Sequence, residues 1–117
     1  MKWIKGRFKS FGYALRGIKR LIASQQNARI HLAITIAVTL LGFFLKISKQ
    51  DWSLIILAMM IVWVAEGMNT AIEFLSDTVS AKYHPLIEKA KDIAAGAVFL
   101  AALGAAVIGI LVFGGQI

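Results

Sequence analysis

Four polar side chains recur at helical intervals inside an otherwise apolar segment. They are separated by three, four and four residues, which places them along one face of an α-helix: Glu66, Asn69, Glu73 and Asp77. A carboxylate in hydrocarbon is costly, so it usually faces a protein interior or a water-filled cavity in which it has a function. Glu66, the deepest of the acids, is placed to act as a general base. Glu73 and Asp77 lie nearer the membrane surface, and oxygen ligands at that depth suit Mg²⁺ held together with substrate phosphates. These four residues, the polar stripe, are the candidate functional centre.

Three other interpretations of the polar stripe are open. An interhelical hydrogen-bond seam is disfavoured by the pair of acids, because such seams usually consist of Ser, Thr or Asn. A small transporter or proton relay would explain intramembrane carboxylates but would leave the basic residues of the chain without a role. A non-catalytic membrane scaffold is the third interpretation.

Composition defines the class of protein around the stripe. The chain has 59% hydrophobic residues, a single proline in 117 residues and a mean hydropathy of +0.76, which together exclude a soluble domain of this size. A bilayer is crossed by about 20 apolar residues. Segments 28–46, 51–76 and 91–113 meet that length approximately. We therefore predict an all-α integral membrane protein in which residues 1–117 form one domain with three transmembrane helices.

The segment before the first span is basic and periodic. Apolar residues alternate at spacings of four and three over residues 1–26, on one face of a helix: Ile4, Phe8, Phe11, Leu15, Ile18 and Ile22. Such an amphipathic helix lies on the membrane surface with its Lys and Arg residues toward anionic headgroups. It could serve only as an anchor, or Arg7, Lys9 or Tyr13 could also hold phosphates. A sequence pI near 10.1 therefore has a membrane explanation, and nucleic-acid binding is not predicted.

The distribution of basic residues predicts the orientation. Eight Lys or Arg residues and no acid precede Ile30, where the apolar run of the first span begins, which places the N-terminus in the cytoplasm. With the N-terminus inside, the loop between the second and third spans also lies in the cytoplasm. This loop region carries Lys82 and Lys91 and is on the same side as the polar stripe. Lys91 and Asp92 at the mouth of that span could position a polyphosphate, or could simply anchor and cap a helix. His31 is interpreted as an interface residue at the start of the first span.

The segment EGMNTAIEFLSD followed by YHPLIEKAKDIAAGAV resembles the small bacterial integral-membrane lipid kinases, the diacylglycerol kinase and undecaprenol kinase family. The resemblance covers essentially the whole chain. It implies a homotrimer in the bacterial cytoplasmic membrane, with active sites shared between neighbouring subunits. It also implies ATP and Mg²⁺ at the cytoplasmic boundary and a lipid alcohol that enters from the bilayer. NTAIE, HPL and AKDIAAGAV are more similar to the undecaprenol branch than to the diacylglycerol branch, whose product is phosphatidic acid.

The resemblance also assigns roles to residues. Glu66 matches the catalytic base, Glu73 matches a metal ligand, and Asn69 and Asp77 match essential polar positions of the site. The residues implied to lie at the nucleotide are Arg7, Tyr13, Gln25, Glu73, Lys82, Tyr83, His84, Lys91 and Asp92. The correspondence of Arg7 is only approximate, because the alignment near the N-terminus is loose.

One position departs from the family pattern. The family usually has a second metal-binding glutamate just before the first span, and SQQNARIH places Gln25 there. An amide oxygen is a much poorer Mg²⁺ ligand than a carboxylate. Three consequences are open: lower metal affinity, replacement of the missing ligand by ATP phosphates and water, or loss of activity.

Restoring the carboxylate tests this position. Gln25→Glu is expected to lower the Mg²⁺ concentration needed for half-maximal activity, because a charged oxygen replaces a neutral one. A magnesium titration of phosphoryl transfer measures that concentration in both proteins. An unchanged requirement would mean that residue 25 does not bind the metal in this chain.

Overall fold

The computed structural model of the chain is all-helical and describes residues 1–79 and 82–116. The four helices are α1 (Lys2–Ser24), α2 (Gln26–Leu45), α3 (Lys49–Val79) and α4 (Pro85–Gly114). The molecule measures 51 × 46 × 20 Å. Since a helix with its side chains is about 10 Å wide, the thin dimension accommodates two layers of helices. α3 and α4 pack against each other along their lengths, and α1 and α2 contact this pair less extensively.

Three of the helices, α2, α3 and α4, are long and apolar enough to cross a membrane. The helices extend past the apolar segments 51–76 and 91–113, because hydrogen bonding along the backbone continues into the polar flanks. α3 has 31 residues and is about 46 Å long at 1.5 Å per residue. That length exceeds the roughly 30 Å of hydrocarbon in a bilayer. One end of α3 therefore extends into a polar environment.

A single extended residue separates α1 from α2. Gln25 has φ −119° and ψ 122°, so the chain leaves the helical conformation there and resumes it at Gln26. The last carbonyls of a helix have no partner within the helix. Arg29 supplies one, since its Nη1 donates to the carbonyls of Ile22 at 3.2 Å and Ala23 at 2.9 Å. The guanidinium thus connects α2 to the last turn of α1 across the bend at Gln25.

The connection between α2 and α3 is short and capped at both ends. Lys46 adopts the left-handed conformation with φ 52°, and the amide of Ile47 donates to the carbonyl of Gly42. Ser48 caps α3, because its hydroxyl accepts a hydrogen bond from the amide of Asp51 at 3.1 Å. Gln116 Nε2 donates to Asp51 at 3.4 Å, which joins the end of α4 to the start of α3.

The apolar core lies at this end of the molecule. Ile47, Ile55 and Val112 are buried together, with Trp52 and Met59 packed around them. The small residues of α4 are only partly used for packing within the chain. Ala94 is buried, but a side chain at Gly96, Gly104 or Gly109 would meet no atom of the described residues within 4 Å. These glycines of α4 therefore do not face another helix of the described chain.

Gly42 is the glycine at which a side chain would do most damage. A Cβ there would lie 2.7 Å and 2.9 Å from ring atoms of Trp52. Gly42→Ala is expected to destabilise the protein by about 1–3 kcal/mol, because the indole must move out of the buried cluster. Unfolding in mixed micelles measures the change. Gly6→Ala, at an exposed position with no neighbouring atom within 4 Å in the described chain, is the control and should leave stability unchanged or slightly raised. Equal stability of the two variants would contradict the packing of Trp52 on α2.

Candidate active site

Glu66 is the largest fully buried side chain among the described residues, with 1% of its surface exposed. It lies on α3 where α2 crosses, and its Oε2 is 3.4 Å from Nε2 of His31. The geometry of that contact is not that of a hydrogen bond, and Oε2 has no other hydrogen-bond partner in the described chain. A buried oxygen of this kind loses its interactions with water without full compensation. Glu66 is thus held away from solvent with one oxygen able to accept a proton or a hydrogen bond.

The sequence position of His31 indicated a residue at the membrane interface. In the structure its side chain is instead largely enclosed by α2 and α3. Only 19% of its side chain is exposed, and its ring packs edge-on against Trp63, with ring centroids 6.5 Å apart at 66°. Trp63 Nε1 donates to the hydroxyl of Thr35 at 3.0 Å, and that hydroxyl donates to the carbonyl of His31 at 2.7 Å. His31 and Thr35 are one turn apart on α2, and Trp63 and Glu66 are one turn apart on α3. These four residues form the α2–α3 polar cluster, in which His31 is next to the buried carboxylate of Glu66.

The next two members of the polar stripe contact each other. Asn69 Nδ2 donates to Glu73 Oε1 at 3.3 Å, which fixes the amide orientation and leaves Asn69 Oδ1 buried without a partner in the described chain. The hydroxyl of Thr70, which is 4% exposed, also has no partner there. The other threonines, Thr35, Thr39 and Thr78, instead donate to the carbonyl four residues earlier. Free oxygens therefore concentrate over one turn of α3.

The oxygen donors along the polar stripe include few carboxylates near one another. Within residues 1–79 and 82–116, no group of three or more His, Asp or Glu side chains converges as a protein-only metal cage would require. Mg²⁺ usually takes one or two carboxylates, with substrate phosphates and water as the other ligands. The Glu73 carboxylate and the unpartnered Asn69 Oδ1 provide oxygen donors of the appropriate type. The residues fit a metal that arrives with a nucleotide.

Asp77 ends the stripe at the exposed end of α3. Lys91 Nζ donates to Asp77 Oδ1 at 3.3 Å, with 70% of the Asp77 side chain exposed. Exposed ion pairs of this kind contribute about 0–1 kcal/mol to stability. The pair is therefore of little value to the fold, and both charges are accessible to a ligand.

Beside this pair is an open cavity of about 430 Å³ between the end of α3 and the start of α4. The described residues that line it are Asp77, Lys82, Tyr83, His84, Ile87, Glu88 and Lys91. Asp92 is exposed at the next position of α4 but is not among the described residues that line the cavity. The structure thus assembles four of the residues predicted to lie at a nucleotide, Lys82, Tyr83, His84 and Lys91, with Asp77.

Two side chains of the cavity also have local roles. His84 Nδ1 accepts the amide hydrogen of Leu86 at 3.2 Å and caps α4, with Pro85 at the first helical position. A hydrogen bond to Glu88 raises the pKa of the Tyr83 phenol above its usual value, with a smaller contribution from burial. The phenol therefore remains a neutral hydroxyl at physiological pH, available for polar contact.

The predicted residues of α1 lie apart from this cavity. The Arg7 guanidinium lies 5.3 Å from the centre of the Trp3 ring, and that of Arg16 lies 4.9 Å from the centre of the Tyr13 ring. Gln25 is at the bend between α1 and α2, half-buried. None of Arg7, Tyr13 and Gln25 belongs to the described lining of the cavity near Lys91.

Two apolar spaces flank the stripe. A groove of about 500 Å³ runs between α1 and α3, with Gly17 and Leu21 on one side and Gly67, Thr70 and Phe74 on the other. A second space of about 260 Å³ lies among α2, α3 and α4 and includes His31 and Trp63 in its lining. Both are mainly apolar, which suits hydrocarbon rather than a nucleotide.

The fold and the site define a membrane-spanning helical protein in which α3 carries a buried carboxylate and ends at an exposed, charged cavity beside the start of α4. The chain matches the prokaryotic diacylglycerol kinase family over residues 12–113, and it belongs to that family. It is 41% identical over 106 residues to an undecaprenol kinase from Bacillus subtilis, with 91% of this chain and 86% of the relative aligned. It is 40% identical over 101 residues to a diacylglycerol kinase from Synechocystis, covering 86% of this chain and 58% of the relative. It is 26% identical over 99 residues to a diacylglycerol kinase from Escherichia coli K12, covering 85% and 81%.

Family membership decides among the classes of protein considered for this chain. The chain is a lipid kinase with ATP as phosphate donor, and the transporter and scaffold interpretations are set aside. The residues that sequence reasoning missed are His31 as a neighbour of Glu66, together with Thr35, Trp63 and Thr70. The sequence did contain one signal for them, because His31 and Thr35 are polar residues one helical turn apart at the start of an apolar span.

Replacing Lys91 tests whether its positive charge contributes to ATP binding. Lys91→Met is expected to raise the KM for ATP about tenfold, or about 1.4 kcal/mol, because one charge that faces the phosphates is lost. Initial rates at varied ATP measure the change. Lys89→Met removes an equal charge from an exposed position of α4 outside the described cavity lining, and it should alter KM less than about twofold. Equal effects of both variants would mean that only the overall surface charge matters.

Proposed function

We propose that this chain is an ATP- and Mg²⁺-dependent kinase that transfers the γ-phosphate to the hydroxyl of a membrane lipid alcohol, with undecaprenol preferred. The observation that carries the proposal is the complete burial of the Glu66 carboxylate on the same helix that ends in the exposed Asp77–Lys91 cavity. A lipid hydroxyl and a nucleotide phosphate approach from different environments. One helix that joins a buried base to a charged, water-accessible cavity provides an environment for each of these two reactants.

In this mechanism the Glu66 carboxylate accepts the proton of the lipid hydroxyl. The hydroxyl oxygen forms a bond to the γ-phosphorus, and the bond from that phosphorus to the β–γ bridging oxygen breaks to release ADP. Phosphoryl transfer needs mainly positioning and neutralisation of charge. Lys91 opposes the negative charge of the phosphates from the cavity side. Asn69 orients the Glu73 carboxylate, to which it already donates a hydrogen bond.

Mg²⁺ would be held by Glu73 with the phosphates of ATP, and Gln25 takes the position of a second ligand. When bound, the metal would neutralise phosphate charge and orient the γ-phosphate. Glu73 is supported as a ligand by its half-buried position beside the unpartnered Asn69 Oδ1. Arg7, Tyr13 and Asp92 are the least supported of the nucleotide contacts, since none lines the described cavity.

Undecaprenol is the preferred acceptor because the chain is 41% identical to an undecaprenol kinase across most of both lengths. The groove between α1 and α3 supports an acceptor with a long apolar body, since its lining is mainly apolar, with Arg20 and the hydroxyl of Thr70 as its polar groups. Diacylglycerol is the second candidate, because other relatives are diacylglycerol kinases at 26–40% identity. Both lipids present a primary hydroxyl on an apolar body.

We place the protein in the bacterial cytoplasmic membrane as a homotrimer with shared active sites. The N-terminus and the polar stripe face the cytoplasm, on the side of the basic residues. α1 lies on the membrane surface, and its exposed Trp3, Phe8 and Phe11 support contact with lipid. The open glycines of α4 and its exposed apolar residues support contact with a neighbouring subunit.

The test is transfer of γ-phosphate to undecaprenol, diacylglycerol and ceramide in lipid nanodiscs. Glu66→Gln is expected to lower turnover at least about a hundredfold, because a carboxamide cannot accept the hydroxyl proton. Protection of the variant against heat by ATP and Mg²⁺ should persist, since the nucleotide cavity is unchanged. Asp51→Asn, an acid at the other end of α3, is the matched control and should retain turnover within about twofold.

Each outcome separates the parts of the proposal. Normal turnover in Glu66→Gln would remove Glu66 as the base. A higher kcat/KM for diacylglycerol than for undecaprenol would reverse the acceptor preference while leaving the kinase mechanism intact. No transfer to any of the three lipids by an intact oligomer would overturn the proposed function.

A further inference from the structure

We infer that His31 is a positioning residue for catalysis, which holds the Glu66 carboxylate so that one of its oxygens faces the acceptor hydroxyl. The inference rests on the proposed function, in which Glu66 is the base. His31 lies on α2, whereas the polar stripe lies on α3, so His31 is not part of the helical pattern that defines the stripe. Its basis is the 3.4 Å approach of His31 Nε2 to Glu66 Oε2 in a water-excluded part of the molecule.

The first step concerns what Glu66 lacks. A glutamate has three rotatable bonds, and a base must present its oxygen in one direction to be effective. Oε2 has no hydrogen-bond partner in the described chain, and the sole polar group recorded near it is the His31 ring. A catalytic hydrogen bond is often long in the absence of substrate and tightens when the reactants are present. A shift of a few tenths of an ångström would convert this contact to a hydrogen bond with an N–H donor.

The second step concerns how His31 is itself held. Its ring packs edge-on against Trp63, and its backbone carbonyl accepts a hydrogen bond from Thr35 at 2.7 Å. The Thr35 hydroxyl in turn accepts from Trp63 Nε1 at 3.0 Å. The histidine is therefore restrained from both α2 and α3. A side chain that orients a catalytic group must have its own conformation fixed, and this cluster provides that restraint.

The third step separates positioning from simple helix association. A hydrogen-bond seam between membrane helices would be complete with the Trp63–Thr35 bond, which already joins α3 to α2. His31 adds no satisfied hydrogen bond from its ring to that seam, but it places a nitrogen next to the one fully buried carboxylate. Its contribution should therefore appear in turnover rather than in stability or substrate binding.

The experiment compares His31→Leu, which removes the nitrogen, with His31→Gln, whose amide nitrogen reaches about the position of Nε2. Turnover and KM are measured in nanodiscs for undecaprenol and ATP. We expect His31→Leu to lower kcat about tenfold with both KM values within about threefold, and His31→Gln to recover kcat to within about threefold of the original. Thr39→Val, which removes a hydroxyl from the next turn of α2, is the matched control and should leave kcat unchanged.

A second background tests whether His31 acts through Glu66. In a Glu66→Gln protein, His31→Leu should produce no further fall in kcat, because the group that it positions is already absent. An additional tenfold fall in that background would overturn the inference, as would an unchanged kcat in His31→Leu or an equal loss in His31→Leu and His31→Gln.

The two levels of the proposal fail in different ways. If the original protein is active and Glu66→Gln is inactive, while His31→Leu turns over normally, the inference fails and the proposed function stands. If the original protein phosphorylates none of the three lipids, or if Glu66→Gln retains full turnover, the proposed role of Glu66 fails and the inference fails with it.

Discussion

The burial of a carboxylate within an apolar helix is the constraint on which the rest of the structure depends. Glu66 is 1% exposed on a helix able to cross a membrane, where a lipid-facing charge would be strongly unfavourable. α3 packs closely with α4, but it is α2 that brings polar atoms to the carboxylate, through His31. The crossing angle between α2 and α3 thus determines whether His31 reaches the Glu66 carboxylate. The capped connection at Lys46–Ser48 and the Trp63–Thr35 hydrogen bond both contribute to that angle.

The length of α3 separates two environments that lipid phosphorylation must join. Along the polar stripe, side-chain exposure increases from the buried Glu66, through the half-buried Glu73, to Asp77 at 70%. A helix of about 46 Å can extend from hydrocarbon into water without a break. Because the same backbone carries all of these side chains, their spacing is fixed by helix geometry. The proposed acceptor end at Glu66 and the proposed donor end at Asp77 are thereby connected without a loop between them.

Much of the fold and the stripe could be predicted because they depend on local periodicity. Helical spacing alone places Glu66, Asn69 and Glu73 on one face, and apolar length identifies the helices that can cross a membrane. The neighbour of Glu66 could not be predicted in this way. His31 reaches it only because of the crossing angle and rotation of α2, which no spacing encodes. The same limitation applies to the glycines of α4, because helical spacing does not show that Gly104 faces open space in the described chain.

The position of Gln25 shows why an amide at the proposed metal site need not disturb the fold. Residue 25 has an extended backbone between two helices, and Arg29 satisfies the adjacent carbonyls of Ile22 and Ala23 from its own side chain. The bend therefore does not depend on whether residue 25 carries a carboxylate or an amide. An amide there removes one negative charge from the proposed metal site, so more of the metal affinity must come from the phosphates of ATP. Under that arrangement metal and nucleotide bind as a unit, and Glu73 becomes the one charged protein ligand that sets where the unit lies.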